Sequence, residues 1–112
     1  MAGLKYTSSK KGNVITVTIG GSLDAQTAPN FDRKISDEIA KKPKILVVSM
    51  EGLDYIASAG MGILINANEL MAKAGGELRL ASCTPKVEKI IKMLGFANFF
   101  TMYDSTEKAE KD

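Results

Sequence analysis

The first quarter of the chain alternates apolar and polar residues, as a strand with one buried face does. Residues 4–7 and residues 15–19 both alternate, and residues 10–13 between them are Lys, Lys, Gly and Asn, which favours a turn. The pattern predicts an antiparallel hairpin whose second strand ends at Gly20-Gly21.

Three later segments repeat apolar residues every three or four positions, which predicts amphipathic helices. The first opens at Thr27-Ala28-Pro29, with proline in the first turn, and closes at Lys41-Lys42-Pro43. The second covers residues 58–74. The third begins at Thr84-Pro85, where Thr84 is placed to cap the helix, and its inner face is expected to reach Leu94.

The segments between these helices are expected to form strands and one loop. Residues 45–48 are four consecutive aliphatic residues within a predicted strand over 44–49, which is typical of a strand buried on both faces. Residues 50–57 are expected to form a loop after this strand. Residues 77–80 alternate as a further strand, and a short last strand is expected to begin at Phe99-Phe100.

The element order predicts a single α/β domain. Strand–helix–strand connections produce parallel strand pairs with right-handed crossovers, and 112 residues is the usual size of one domain. We therefore expect residues 1–112 to form one mixed, mostly parallel sheet with an N-terminal antiparallel hairpin, covered by three or four helices. Residues 104–112 are expected to be either a polar tail or a short terminal helix capped by Asp104.

The composition removes most catalytic and metal-binding options. The chain has no histidine, one cysteine (Cys83) and a net charge of only +2, and Cys83 is expected to be a packed residue rather than a nucleophile. No apolar run is long enough to cross a bilayer. We therefore expect a cytoplasmic, non-enzymatic binding or switching module with no metal, no cofactor and no nucleic-acid or membrane partner.

The segment that joins the central strand to the second helix carries the most unusual chemistry. Gly60 and Gly62 lie in the first turns of this second predicted helix. Each glycine there lowers helix stability by about 0.5–1 kcal/mol relative to alanine. Either close packing on the sheet or close approach by a partner would explain them. Ser58 is expected to be the N-cap, and its hydroxyl is either only a structural cap or a phosphorylation switch.

Other residues near this segment are candidates for partner contacts. Asp24 follows the second strand, so it should lie beside Ser58 at the carboxyl edge of the sheet; the alternative is a solvated loop acid. Met61 is either core or an adaptable contact. Gly60-Met61-Gly62 is a weak match to a phosphate-binding loop because no Lys-Ser or Lys-Thr follows.

Residues 21–28, 45–56 and 57–64 resemble the STAS domain, most closely its branch of bacterial anti-sigma-factor antagonists. The resemblance implies that the unphosphorylated protein binds an anti-sigma factor that is also a serine kinase of the histidine-kinase-like ATPase type, which releases the client of that kinase. Phosphorylation at Ser58 would abolish binding, and a PP2C-type phosphatase would restore it. The residues expected to contact the partner are Asp24, Gln26, Ala57, Ser58, Met61 and Gly62.

The sequence departs from the usual family motif around the serine. Ala57 stands where an aspartate is common, Ala59 replaces a second hydroxyl residue and Met61 replaces leucine, so Ser58 is the only hydroxyl in this turn. Two alternatives to partner switching remain open at this point. One is a constitutive STAS subunit of a transport or stress-signalling complex, and the other is a binder of a nucleotide or small ligand.

Overall fold

The computed structural model describes residues 3–111, so residues 1, 2 and 112 of the predicted domain lie outside the described residues. Five strands and four helices lie within that range, and they alternate after an opening pair of strands. The strands are β1 (Leu4–Lys11), β2 (Val14–Leu23), β3 (Ile45–Ile56), β4 (Glu77–Ala81) and β5 (Thr101–Tyr103). The helices are α1 (Ala28–Ala40), α2 (Ser58–Lys73), α3 (Pro85–Met93) and α4 (Thr106–Ala109).

The strands form one sheet in the order β1-β2-β3-β4-β5. β1 is antiparallel to β2, and every other neighbouring pair is parallel, which confirms the predicted mixed α/β fold. α1, α2 and α3 pack their apolar residues on one face of the sheet, around Phe31, Leu64 and Ile91. α4 lies on the other face, where Ala109 packs with Ile45 and Val47 of β3 and Ala81 of β4. The carboxyl ends of β2, β3 and β4 therefore share one edge of the molecule.

β3 is twelve residues long, so the predicted loop over residues 50–57 is wrong. The register of β3 against β2 slips at two places, and each slip gives β3 one extra residue. These bulges leave Leu53 and Ile56 buried, with two exposed residues before each. Apolar residues therefore recur every third position, and the strand loses the two-residue alternation that sequence analysis relies on.

β2 continues through Gly20-Gly21 to Leu23, so its predicted end is also wrong. Gly21 has φ +90, and a Cβ there would lie 2.1 Å from the backbone oxygen of Gly3. Only glycine adopts this conformation readily while allowing such a close approach. The glycines thus let β2 continue beside its bulged neighbour as far as Leu23, at the edge of the sheet.

The C-terminal segment forms both short elements, with boundaries that differ from the predicted ones. β5 begins at Thr101 rather than at Phe99-Phe100. Residues 104–112 contain the short helix α4, whose cap is Ser105 instead of Asp104, because the Ser105 side chain accepts a hydrogen bond from the Lys108 N–H. The Thr106 hydroxyl donates to Ser49 Oγ on β3 at 2.8 Å, which attaches α4 to the outer face of the sheet.

A buried carboxylate joins α1 to β1 and makes stability depend on pH. Burial alone would raise the pKa of Glu38, but hydrogen bonds from Lys41, Ser8 and Tyr6 outweigh it and lower the pKa below its usual value. Because the unfolded chain then binds protons more readily, this stabilisation is present above the ordinary glutamate pKa and is lost as pH falls through the lowered one. We expect Glu38→Gln to flatten the acid limb of the stability curve, measured by urea unfolding from neutral to acidic pH. An acid limb identical to that of the wild type would contradict this assignment.

Candidate functional site

Asp24 and Ser58 lie in two adjacent segments at the carboxyl edge of the sheet. Leu23, the last residue of β2, pairs with Ile56, the last residue of β3. The Ala57 N–H then donates to the Leu23 backbone oxygen at 2.8 Å. The segments that follow the two strands therefore run side by side, as expected of neighbouring parallel strands.

Ser58 is the first residue of α2 and is exposed. The prediction that it is the N-cap is wrong, since the extended residue Ala57 occupies that position and gives no side-chain cap. The Ser58 hydroxyl forms no hydrogen bond within residues 3–111. The first N–H groups of a helix have no partner within the helix and carry partial positive charge. The free hydroxyl thus stands beside the positive end of α2.

Asp24 shapes the turn that leads into α1. Its Oδ1 accepts hydrogen bonds from the Gln26 N–H at 3.0 Å and the Thr27 N–H at 3.1 Å. Its own N–H donates to Thr27 Oγ1 at 2.9 Å. Asp24 is therefore a half-buried turn residue with one oxygen engaged, which differs from a freely solvated loop acid. Gln26 is exposed at the tip of this turn.

The two glycines of α2 have different surroundings. A Cβ on Gly60 would lie 2.5 Å from Leu23 Cγ and 3.1 Å from the Leu23 backbone oxygen, so close packing on β2 explains this glycine. A Cβ on Gly62 would meet nothing within 4 Å. The fold therefore requires a glycine at 60 and does not require one at 62, where the helix backbone is open to solvent.

Met61 belongs to the core and offers no contact surface. Its side chain is only 1% exposed and packs in the main apolar cluster between the helices and the sheet. The expectation that Met61 is an adaptable partner contact is therefore wrong for this structure. The predicted residues that do reach the surface here, fully or in part, are Asp24, Gln26, Ala57, Ser58 and Gly62.

Tyr55 also lies at this edge, although the sequence did not indicate it as a candidate contact. Its side chain is 45% exposed, and it pairs with Ser22 at the second bulge of β3. Exposed tyrosines are common anchors for a protein partner. The bulge places Tyr55 on the surface, and only the three-residue spacing of Met50, Leu53 and Ile56 could have indicated it.

The other chemically reactive groups are part of the packing. Burial, followed by the nearby Glu88 carboxylate, raises the pKa of Cys83 to about 11. The thiol contacts Met50 Sδ at 3.5 Å.

No group of three or more acidic or cysteine side chains among residues 3–111 is placed to hold a metal ion. Across the same residues, no helix is both long and apolar enough to span a bilayer.

Fold and site together define a small α/β domain with one free serine hydroxyl at a helix start. A model of the STAS domain matches residues 6–109, so the chain belongs to the STAS domain family. The anti-sigma-B factor antagonist of Bacillus subtilis is 26% identical over 98 residues, covering 88% of this chain and 86% of that protein.

Solved structures share the fold over nearly the whole chain. The crystal structure of an anti-sigma factor antagonist from Mycobacterium paratuberculosis has a TM-score of 0.85 at 24% identity, covering 95% of this chain and 90% of that one. SpoIIAA, an anti-sigma factor antagonist, has a TM-score of 0.80 in its unphosphorylated form at 20% identity, covering 94% of this chain and 92% of that one. Its phosphorylated form has a TM-score of 0.72 at 19% identity, covering 94% and 96%.

Proposed function

We propose that the protein is an anti-sigma-factor antagonist that acts by partner switching. The unphosphorylated form binds an anti-sigma factor that is also a serine kinase of the histidine-kinase-like ATPase type, and the client of that kinase is released. The kinase transfers a phosphoryl group from ATP to Ser58, binding is lost, and a PP2C-type phosphatase restores it. In this cycle, which takes place in the cytoplasm, the protein is a regulator and not an enzyme.

The free hydroxyl of Ser58 is the observation that supports this proposal most strongly. A phosphoacceptor must be accessible to the kinase. Its phosphorylation must also leave intact the hydrogen bonds on which the fold depends. Ser58 is exposed and forms no hydrogen bond within the described residues, so it meets both requirements. The names of the relatives supply the class of partner, and SpoIIAA has been solved in both an unphosphorylated and a phosphorylated form.

A phosphate on Ser58 would act on binding and leave the fold intact. It adds about −1.5 to −2 charge at pH 7, and the N–H groups and dipole at the start of α2 stabilise a negative charge there. A partner packed over the same surface would have to desolvate that charge or accept it without a counter-ion, which is strongly unfavourable. Tyr55 and Gly62 mark the area that such a partner would cover.

The experiment that tests the proposal is phosphosite mapping with the cognate kinase. We expect incubation with that kinase and ATP to add one phosphate, located at Ser58 by peptide mass spectrometry, and Ser58→Ala to remain unmodified. Ser36, an exposed serine on α1, is the internal control and should carry none. Phosphate on another residue with Ser58 untouched would refute the site. A chain that stays unmodified within a transport or stress-signalling complex would instead be a constitutive subunit.

A further inference from the structure

The edge of the sheet opposite Ser58 is rich in lysine. At this edge the parallel strands begin, β1 turns into β2, and the three long helices end. The backbone connects these segments, since the Lys44 N–H donates to the Asn13 oxygen at 2.8 Å and the Glu77 N–H donates to the Lys44 oxygen at 3.0 Å. Seven of the 15 basic residues of the chain lie here: Lys10, Lys11, Lys41, Lys42, Lys44, Lys73 and Lys92.

Acidic residues neutralise only part of this edge. Glu38 bonds Lys41 at 2.8 Å, and Glu88 lies 3.4 Å from Lys92. Glu77 bonds Arg79 at 2.6 Å. Asp37 and Glu69 lie about one turn back from the helix ends, and neither forms an ion pair within the described residues.

Four of the lysines have no ion-pair partner among the described residues. Lys10, Lys11, Lys42 and Lys73 are exposed and form no ion pair within residues 3–111. Several acids, Asp24, Glu51, Asp54 and Asp104, lie toward the opposite edge, where the parallel strands end. The small net charge of +2 therefore conceals a separation of charge between the two edges.

Apolar side chains are exposed at one end of this basic edge. Met93, the last residue of α3, is 77% exposed, and Leu94 beside it is 38% exposed, so the expected burial of Leu94 is wrong. Phe99 is 42% exposed in the turn before β5. Exposed apolar residues next to lysines are typical of surfaces that rest on lipid headgroups, where the apolar side chains enter the acyl boundary.

We propose that this edge, defined by the seven lysines with Met93, Leu94 and Phe99, binds the surface of an anionic lipid bilayer. Lysines close to an anionic leaflet each contribute roughly fivefold in affinity through electrostatic attraction. Lysine provides compact point charges, whereas the planar fork of arginine is the usual reader of bases and phosphates in nucleic acid. Exposed Met, Leu and Phe side chains add a feature that favours lipid over nucleic acid.

The geometry leaves the Ser58 surface free while the basic edge is occupied. The two surfaces lie at opposite edges of the sheet, so a bilayer on one side would leave the other open to a protein partner. Composition alone led us to expect no membrane partner, since the net charge is only +2 and no segment is long enough to span a bilayer. These properties do not show where charges gather on the folded surface. This inference does not depend on the proposed function.

Vesicle sedimentation with the full chain tests the proposal. We expect binding to vesicles of phosphatidylglycerol and phosphatidylcholine, weakening with salt, and little binding to pure phosphatidylcholine. The variant Lys10→Glu/Lys11→Glu/Lys42→Glu should lose about 100-fold in affinity. The matched control Lys5→Glu/Lys86→Glu/Lys108→Glu makes the same change in net charge away from this edge and should lose far less. Met93→Gln should weaken binding several-fold with all lysines kept.

Three outcomes would overturn the proposal. Equal losses in the two triple variants, with circular dichroism showing both folded, would mean that only net charge matters. Absence of binding to the anionic vesicles at low salt would remove the lipid partner. Tighter binding to a mixed-sequence RNA duplex than to the vesicles would assign the basic edge to nucleic acid.

Discussion

Ser58→Asp should lower the affinity for the anti-sigma factor at least 100-fold while leaving thermal stability nearly unchanged. A carboxylate buried in an interface without a counter-ion costs about 3–5 kcal/mol, which corresponds to a loss of about 100-fold or more. The fold should tolerate it, because Ser58 is exposed and forms no hydrogen bond within residues 3–111. A negative charge at the first position of a helix is mildly stabilising. Titration calorimetry and thermal unfolding measure the two effects separately.

Two further variants show whether the effect comes from the charge being at position 58 or from any change to the protein's surface. Ser36→Asp introduces the same carboxylate at an exposed serine of α1 and should bind like the wild type. Ser58→Ala removes the acceptor without adding charge and should also retain binding. If Ser58→Asp unfolded the protein, the serine would be a structural residue. If it bound as tightly as Ser36→Asp, the surface around Ser58 would not be the interface.

Gly60→Ala and Gly62→Ala should change stability in opposite directions. The methyl group at 60 would lie 2.5 Å from the buried Leu23 side chain, so we expect a loss of about 1–3 kcal/mol from overpacking. The methyl group at 62 would meet nothing within 4 Å, so the higher helix propensity of alanine should raise stability by about 0.5–1 kcal/mol. Urea unfolding of the two variants measures the difference.

The Gly62→Ala variant also tests the second explanation for the glycines of α2, which is close approach by a partner. The fold does not need Gly62, so we attribute it to the close approach of the partner. Gly62→Ala should then weaken capture of the anti-sigma factor by about tenfold or more, although the variant is more stable. Unchanged affinity would mean that Gly62 has no role at the interface. A loss of stability in Gly62→Ala would contradict the open surroundings of this residue.

Regular hydrophobic patterns predicted most of the fold. α1 begins at Ala28 after Thr27, and α3 begins at Pro85 with the Thr84 hydroxyl accepting from the Val87 N–H, both as the sequence indicated. These features are local, because the capping residue and the helix it caps are neighbours in sequence. The second half of β3 could not be predicted, since its bulges exist only relative to the register of β2.

The location of the candidate site could be predicted from the sequence. The surroundings of its individual residues could be predicted only in part. The rule that sites collect at the carboxyl edge of parallel strands led us to expect Asp24 beside Ser58, and the structure has the two residues in adjacent segments. It could not show that Met61 points into the core, which depends on how α2 rotates against β2 through Gly60. The basic edge could not be predicted from composition, since Lys11, Lys44 and Lys92 are far apart in the chain and come to one edge only in the folded sheet.

The central claim is that the phosphorylation state of Ser58 decides whether the protein binds its partner. Titration of the anti-sigma factor with the unmodified protein, with the Ser58-phosphorylated protein and with the latter after treatment by a PP2C-type phosphatase tests it most directly. We predict tight binding, a loss of at least 100-fold, and full recovery, in that order. Equal affinities for the unmodified and phosphorylated proteins would contradict the account.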